Sequence, residues 1–205
     1  MRTLRSSILS GVAVAIAGWG YLATTNIIGA VLFSFGLLTV VQYKLRLYTG
    51  TAGFVEFRTP EGQLRILPAI GELLHILVGN ILGCLLVALL SRLSPIDLGS
   101  SAQQILEGRL AIGPLRAGLL SIGCGFIMTT VVTGARQGKP LILLLGVPLF
   151  IICGFPHCVA DAFYYLAVPT DFTFAHISDL LILYPSLVVG NFIGCNFYRF
   201  VAPKD

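Results

Sequence analysis

The heptapeptide Val78-Gly79-Asn80-Ile81-Leu82-Gly83-Cys84 is followed 111 positions later by Val189-Gly190-Asn191-Phe192-Ile193-Gly194-Cys195, and both lie inside apolar runs. Each copy sets a carboxamide between two glycines. In hydrocarbon an amide needs a partner, and paired glycines let another backbone come close. The repetition predicts a duplicated membrane protein, a plan common among transporters. Composition agrees: 56% hydrophobic and 11% charged residues, with a mean hydropathy of +0.91, leave more apolar surface than a soluble domain of 205 residues can cover. The formal net charge of +4 comes from basic residues at the ends of apolar runs, with no nucleic-acid footprint. Five cysteines (Cys84, Cys124, Cys153, Cys158, Cys195) fall in apolar stretches without a CxxC pair, so they read as packing residues, with no disulfide framework, metal or cofactor expected.

The expected fold is all-α and integral to the membrane, with six transmembrane helices forming two inverted three-helix repeats. The spans are about Ser7–Ala23, Ile27–Phe57 with an interruption, Ile66–Ser91, Pro114–Thr133, Leu141–Val168 with an interruption, and Ile177–Val201. This gives one membrane domain over 1–205, made of a first repeat 1–92, a connecting loop 93–113 and a second repeat 114–205. Met1-Arg2-Thr3-Leu4-Arg5 and the apolar run behind it could be taken for a signal peptide. No small-residue cleavage site follows, so the run is read as the first span. With the N-terminus inside, Arg2, Arg5, Arg58, Arg65, Arg136, Lys139, Arg199 and Lys204 are cytoplasmic, and only Arg92, Arg109 and Arg116 are outside. That excess predicts both termini in the cytoplasm, and three spans per half then invert the second half relative to the first.

The interruptions carry the chemistry. In the second span, Phe33-Ser34-Phe35-Gly36-Leu37 runs into Tyr43-Lys44-Leu45-Arg46-Leu47-Tyr48-Thr49-Gly50. Cations at that depth suit only backbone buried in protein or lining a cavity; the simpler reading ends the span at Val41. In the fifth, Gly154-Phe155-Pro156-His157-Cys158-Val159-Ala160-Asp161 predicts a break at Gly154 and Pro156. His157 and Asp161 stand one helical turn apart, either on a permeation path or as a structural Asp–His hydrogen bond. His75 and His176 lie near span ends and read as interfacial.

These segments resemble the formate/nitrite transporter family. Leu32–Leu37 leading to Leu47-Tyr48-Thr49-Gly50 is similar to its Phe-x-x-Gly-Leu stretch and Leu-Phe-Thr loop, and Gly154–Asp161 to its Gly-Phe-Glu-His-x-x-Ala-Asn break. The two Gly-Asn-x-x-Gly spans are similar to its third and sixth helices. The resemblance implies an aquaporin-like protomer in a homopentamer, each subunit with its own pore for small monovalent anions such as formate, nitrite or hydrosulfide. It places His157 at the centre with Thr49 opposite, and Phe33, Leu37, Leu47, Tyr48 and Phe150 at the constrictions. The resemblance also implies that Asn191, and by symmetry Asn80, bond the backbone of the broken helices. The chain departs from the pattern at Arg46, where the family has an acid, and at Tyr48 and Asp161, where it has Phe and Asn. The family's anion-attracting lysine has Arg109 as its nearest counterpart, at the outer mouth. Arg46 and Asp161 are expected to compensate each other as a buried ion pair across the two breaks.

An apolar filter penalises a bare anion far more than its neutral acid. Thr49 and His157 are therefore expected to hold an anion that crosses after protonation, either relayed by His157 or taken directly from water beside a neutral His157. Histidine titration predicts pH-dependent flux. The rival readings are a non-conducting membrane assembly protein with a blocked pore, a neutral-solute channel lacking the Asn-Pro-Ala boxes of aquaporins, and an enzyme, for which only His157 and Asp161 are available. The expected setting is the inner cell membrane, with lipid and a small anion as partners.

Overall fold

The computed structural model describes residues 2–201, so Lys204, counted above as cytoplasmic, lies outside the described residues. The chain is helical almost throughout. The first half holds α1 (Arg2–Thr24), α2 (Ile27–Leu32), α3 (Ser34–Gln42), α4 (Tyr48–Ala52) and α5 (Ile66–Ser91). The second holds α6 (Leu98–Arg136), α7 (Ile142–Ile152), α8 (Cys158–Ala167), α9 (Thr170–Ala175), α10 (Ile177–Cys195) and α11 (Phe197–Val201). Helices α1, α5, α6 and α10 are long and apolar enough to cross a membrane. Their outward faces carry large apolar side chains in the open, among them Leu9, Leu67, Leu115 and Leu181, as lipid rather than water as solvent requires.

The segment 93–113, expected as a loop, is helical from Leu98 onward. Asp97 caps it: Oδ1 accepts from Ser100 N at 3.1 Å and Oδ2 from the Ser100 hydroxyl at 2.6 Å. Those bonds hold the Asp97 carboxyl below the usual carboxylate range, the hydroxyl contributing most. Hydropathy misses this helix because Gln103, Gln104, Glu107 and Arg109 interrupt it. The helical path bends at Gly113 (φ 76°, ψ 164°), directly before Pro114.

The largest helix contacts are α6 against α10 and α1 against α5. Both seams depend on the repeated glycines. A Cβ on Gly83 would strike the Ile8 carbonyl of α1, and one on Gly194 would strike the Ile122 carbonyl of α6. Backbone on both sides cannot yield, so Gly83→Val or Gly194→Val is expected to lower the melting temperature in detergent more than Gly71→Val. Gly71 lies on α5 with nothing near its Cβ position, and serves as the control for helix propensity.

The two breaks share one geometry. Helix α3 ends with Lys44 at φ 52° and a hydrogen bond from Leu45 N to Val40 O of 2.8 Å. Helix α7 ends with Gly154 at φ 68° and a bond from Phe155 N to Phe150 O of 2.9 Å. Each is a left-handed helix stop, after which the chain runs extended to restart at α4 or α8. Glycine takes that conformation without strain; Lys44 does not, because its Cβ crowds the carbonyl.

Candidate functional site

Asn80 and Asn191 tie each break to its long helix through matching bonds. Asn80 Nδ2 donates to Ser7 O at 2.8 Å and Arg46 O at 2.9 Å, while Oδ1 accepts from Tyr48 N at 2.9 Å. Asn191 Nδ2 donates to Ser121 O at 2.8 Å and Pro156 O at 3.0 Å, while Oδ1 accepts from Cys158 N at 2.8 Å. One carboxamide thus satisfies a carbonyl inside each break and the first amide of the helix that restarts, groups with no intrahelical partner. The cysteine four residues on crosses between halves: Cys84 Sγ donates to Val159 O and Cys195 Sγ to Thr49 O, both at 3.4 Å.

These ties bring Thr49 and His157 together. Thr49 Oγ1 stands 2.8 Å from His157 Nε2, and the two residues are 0% and 1% exposed. His157 caps α8, its Nδ1 accepting from Ala160 N at 3.1 Å. A backbone N–H can only donate, so Nδ1 keeps its lone pair and the ring proton sits on Nε2, pointing to Thr49. Thr49 Oγ1 therefore accepts, and its own hydroxyl hydrogen is left for another acceptor. The Phe150 ring stacks on His157 at 5.6 Å between centroids, and Phe33 meets Phe150 edge-on at 6.1 Å. Phe33, Leu37 and Leu47 are fully buried, and Tyr48 nearly so. The Tyr48 hydroxyl, the departure from the family's Phe, donates to Val188 O at 3.2 Å.

Asp161 does not bond the His157 ring. Its Oδ2 accepts from His157 N at 2.9 Å, and its Oδ1 accepts from Arg109 Nε at 3.1 Å and from the Tyr165 hydroxyl at 3.2 Å. Nor does it pair with Arg46, as the sequence suggested. Arg46 reaches Glu72 at 3.4 Å on an open surface, their side chains 48% and 36% exposed. The cause is geometric. Asn80 holds the Arg46 carbonyl inward, which sends the side chain out to α5, whereas Asp161 sits at the start of α8 facing Arg109 on α6. Arg109 also donates from Nη1 to Gly154 O at 2.7 Å, so the cation expected at the outer mouth is strapped across the second break.

Two cavities flank this core. The larger, about 1040 Å³, is lined by Gly50 and Thr51, next to Thr49, and by Arg46 and Arg136. The smaller, about 430 Å³, is lined by His157 and Phe150, with Arg109 and Asp161 in its wall. Sequence reasoning passed over Glu72, Tyr165, Arg136 and Asn196. Asn196 donates to Ala52 O at 3.1 Å, holding the end of α4. An asparagine just beyond the second Gly-Asn-x-x-Gly motif was the available signal for it.

The profile described as "Formate/nitrite transporter" matches residues 1–202. The formate channel FocA of Haemophilus influenzae is 26% identical over 177 residues, covering 81% of this chain. The chain spans 60% of the length of that relative. Among solved structures, a pentameric formate channel with formate bound superposes with a TM-score of 0.78 at 20% identity, covering 97% of this chain and 94% of the other. An ion channel of the FNT family gives 0.78 at 19% identity, covering 98% and 90%. The fold is therefore shared with these channels, and the motifs read from the sequence pointed to the family that matches. Broken helices stapled by Asn80 and Asn191 around Thr49 and His157, with a family match running almost end to end, make this chain a member of the formate/nitrite transporter family.

Proposed function

We propose that the chain forms a channel for small monovalent weak-acid anions of the formate, nitrite or hydrosulfide class, one pore per subunit of a homopentamer. The observation that carries this reading is the Thr49–His157 contact, buried between two cavities and faced by Phe150 and Phe33. The Thr49 hydroxyl hydrogen, which no acceptor among the described residues takes, is the donor offered to the anion. His157 acts as a neutral Nε2–H donor, since Ala160 N occupies the lone pair where a second proton would go. The anion takes its proton from bulk solvent rather than from His157, and as the neutral acid it crosses the aromatic and aliphatic constriction, where a bare anion pays a heavy desolvation cost. The halves 1–92 and 114–205 act as inverted repeats in an inner membrane with both termini cytoplasmic, an assignment supported by the excess of basic residues on that side.

The test is uptake of formate, nitrite, hydrosulfide and chloride into proteoliposomes at several pH values. Uptake of the weak-acid anions is expected to exceed chloride and to rise as external pH falls. His157→Phe, which keeps the ring shape and removes the Nε2–H donor to Thr49, is expected to reduce flux about tenfold while keeping its pH dependence, on the scale of one lost hydrogen bond. Flux that becomes independent of pH in this variant would instead assign the proton relay to His157. Folded protein without flux above empty liposomes would transfer the argument to a non-conducting assembly protein, and flux of glycerol without anions to a neutral-solute channel.

A further inference from the structure

The charges at the two cavities are unequal. In the smaller one Arg109 is matched by Asp161 and by the Gly154 carbonyl. The larger is lined by Lys44, Arg46, Arg65 and Arg136 against Glu56 and Glu72, a formal excess of two positive charges. Glu72 is engaged by Arg46 at 3.4 Å and by Arg65 at 4.0 Å. Among the described residues, Arg136 has no carboxylate within 4.0 Å. It is nevertheless held in place. Nη2 donates to the Gly50 carbonyl at 3.0 Å, and Cζ stands 4.2 Å from the centroid of the Phe54 ring. Those contacts use one of the five N–H donors of a guanidinium and one of its faces.

We infer that Arg136 is an anion-capture site, binding a small monovalent carboxylate or other oxyanion in the larger cavity one residue short of Thr49. A fixed guanidinium presents a planar fork that matches two oxygens of such an anion, and its Gly50 anchor places it beside α4, the short helix that carries Thr49. The surrounding positive excess raises the local anion concentration, an effect that weakens with salt. This inference deepens the channel reading and rests on it for the route the anion takes next. It also moves anion recruitment from Arg109, which Asp161 neutralises, to the opposite cavity.

The test uses the purified full chain with Arg136→Gln and Arg136→Lys. Glutamine still donates to the Gly50 carbonyl but lacks the charge; lysine keeps the charge and loses the fork. Thermal stabilisation by sodium formate, at ionic strength held constant with sodium chloride, gives a half-saturating concentration for each protein. Arg136→Gln is expected to raise it about tenfold, the scale of one charge-assisted hydrogen bond, and Arg136→Lys by a few-fold. In a Thr49→Val background, which removes the inner donor, the Arg136-dependent stabilisation persists. Wild-type half-saturation in Arg136→Gln overturns the inference. If that variant does not fold, wild-type half-saturation in Arg136→Lys overturns it. Formate uptake into proteoliposomes runs alongside: no uptake by wild type defeats the channel reading, while the binding series still decides the Arg136 site.

Discussion

Asp161→Ala is expected to cost about 3–5 kcal/mol of stability, because it strands a buried charge and two further donors. Asp161 is 1% exposed, and the Arg109 side chain it neutralises is 17% exposed. The same carboxylate receives His157 N and the Tyr165 hydroxyl, so its removal also frees the cap that orients the histidine. A lower melting temperature in detergent and loss of uptake should therefore appear together. Arg109→Met in the same chain removes the unpaired cation and is expected to restore much of the stability, making the pair strongly non-additive. The loss of flux is expected to persist, since the His157 amide is still without its acceptor. Arg46→Ala, combined with Asp161→Ala, should simply add, because Arg46 is bound to Glu72 on an open surface where ion pairs contribute little. Non-additivity in that second pair would return the ion pair to Arg46.

Replacing Asn191 or Asn80 by leucine is the other large effect. The side chains are close in size, but each substitution deletes three hydrogen bonds at a break. Interhelical bonds in membranes average about 0.6 kcal/mol each, which sets a floor near 2 kcal/mol. The break's own carbonyl and amide, Arg46 O and Tyr48 N or Pro156 O and Cys158 N, are left bare in a dry interior, whereas Ser7 O or Ser121 O keeps its helical bond. Orphaned groups cost about 1–3 kcal/mol each, so two of them raise the expected loss to roughly 2–6 kcal/mol. Because Tyr48 and Cys158 begin α4 and α8, the helices carrying Thr49 and His157 lose their anchors. Single leucine variants are expected to lower the melting temperature strongly and to abolish anion-dependent stabilisation. An Asn191→Leu protein that kept both would show that the breaks are held by packing alone.

Much of the architecture was legible because it rests on local rules. Periodic apolar runs mark helices wherever they occur; α5 begins and ends at Ile66 and Ser91, where the third span was expected. Gly154 and Pro156 disfavour continued helix by backbone sterics and a missing donor, and the chain breaks there. A carboxamide between glycines inside hydrocarbon demands backbone partners, and Asn80 and Asn191 have them. The helix from Leu98 to the Gly113 bend was not legible, because its polar residues hide it from hydropathy even though Asp97 caps it as any helix start.

Apart from that stretch, the helices, the places where two of them stop and the residue types brought to those stops follow from the local pattern of the chain, since each depends on neighbours within a turn or two. Tertiary structure alone decided which charge meets which. Arg109 and Asp161 are 52 residues apart, and Arg46 and Glu72 are 26 apart, on elements whose facing is set only when the helices pack. Pairing depends on direction as well as depth: Asn80 turns the Arg46 carbonyl inward and its side chain outward. The same holds for Arg136, which reads in sequence as an ordinary cation at a helix end. Folding places it against Gly50, 86 residues away in the chain, because the packed helices bring the end of α6 to α4, which carries Thr49.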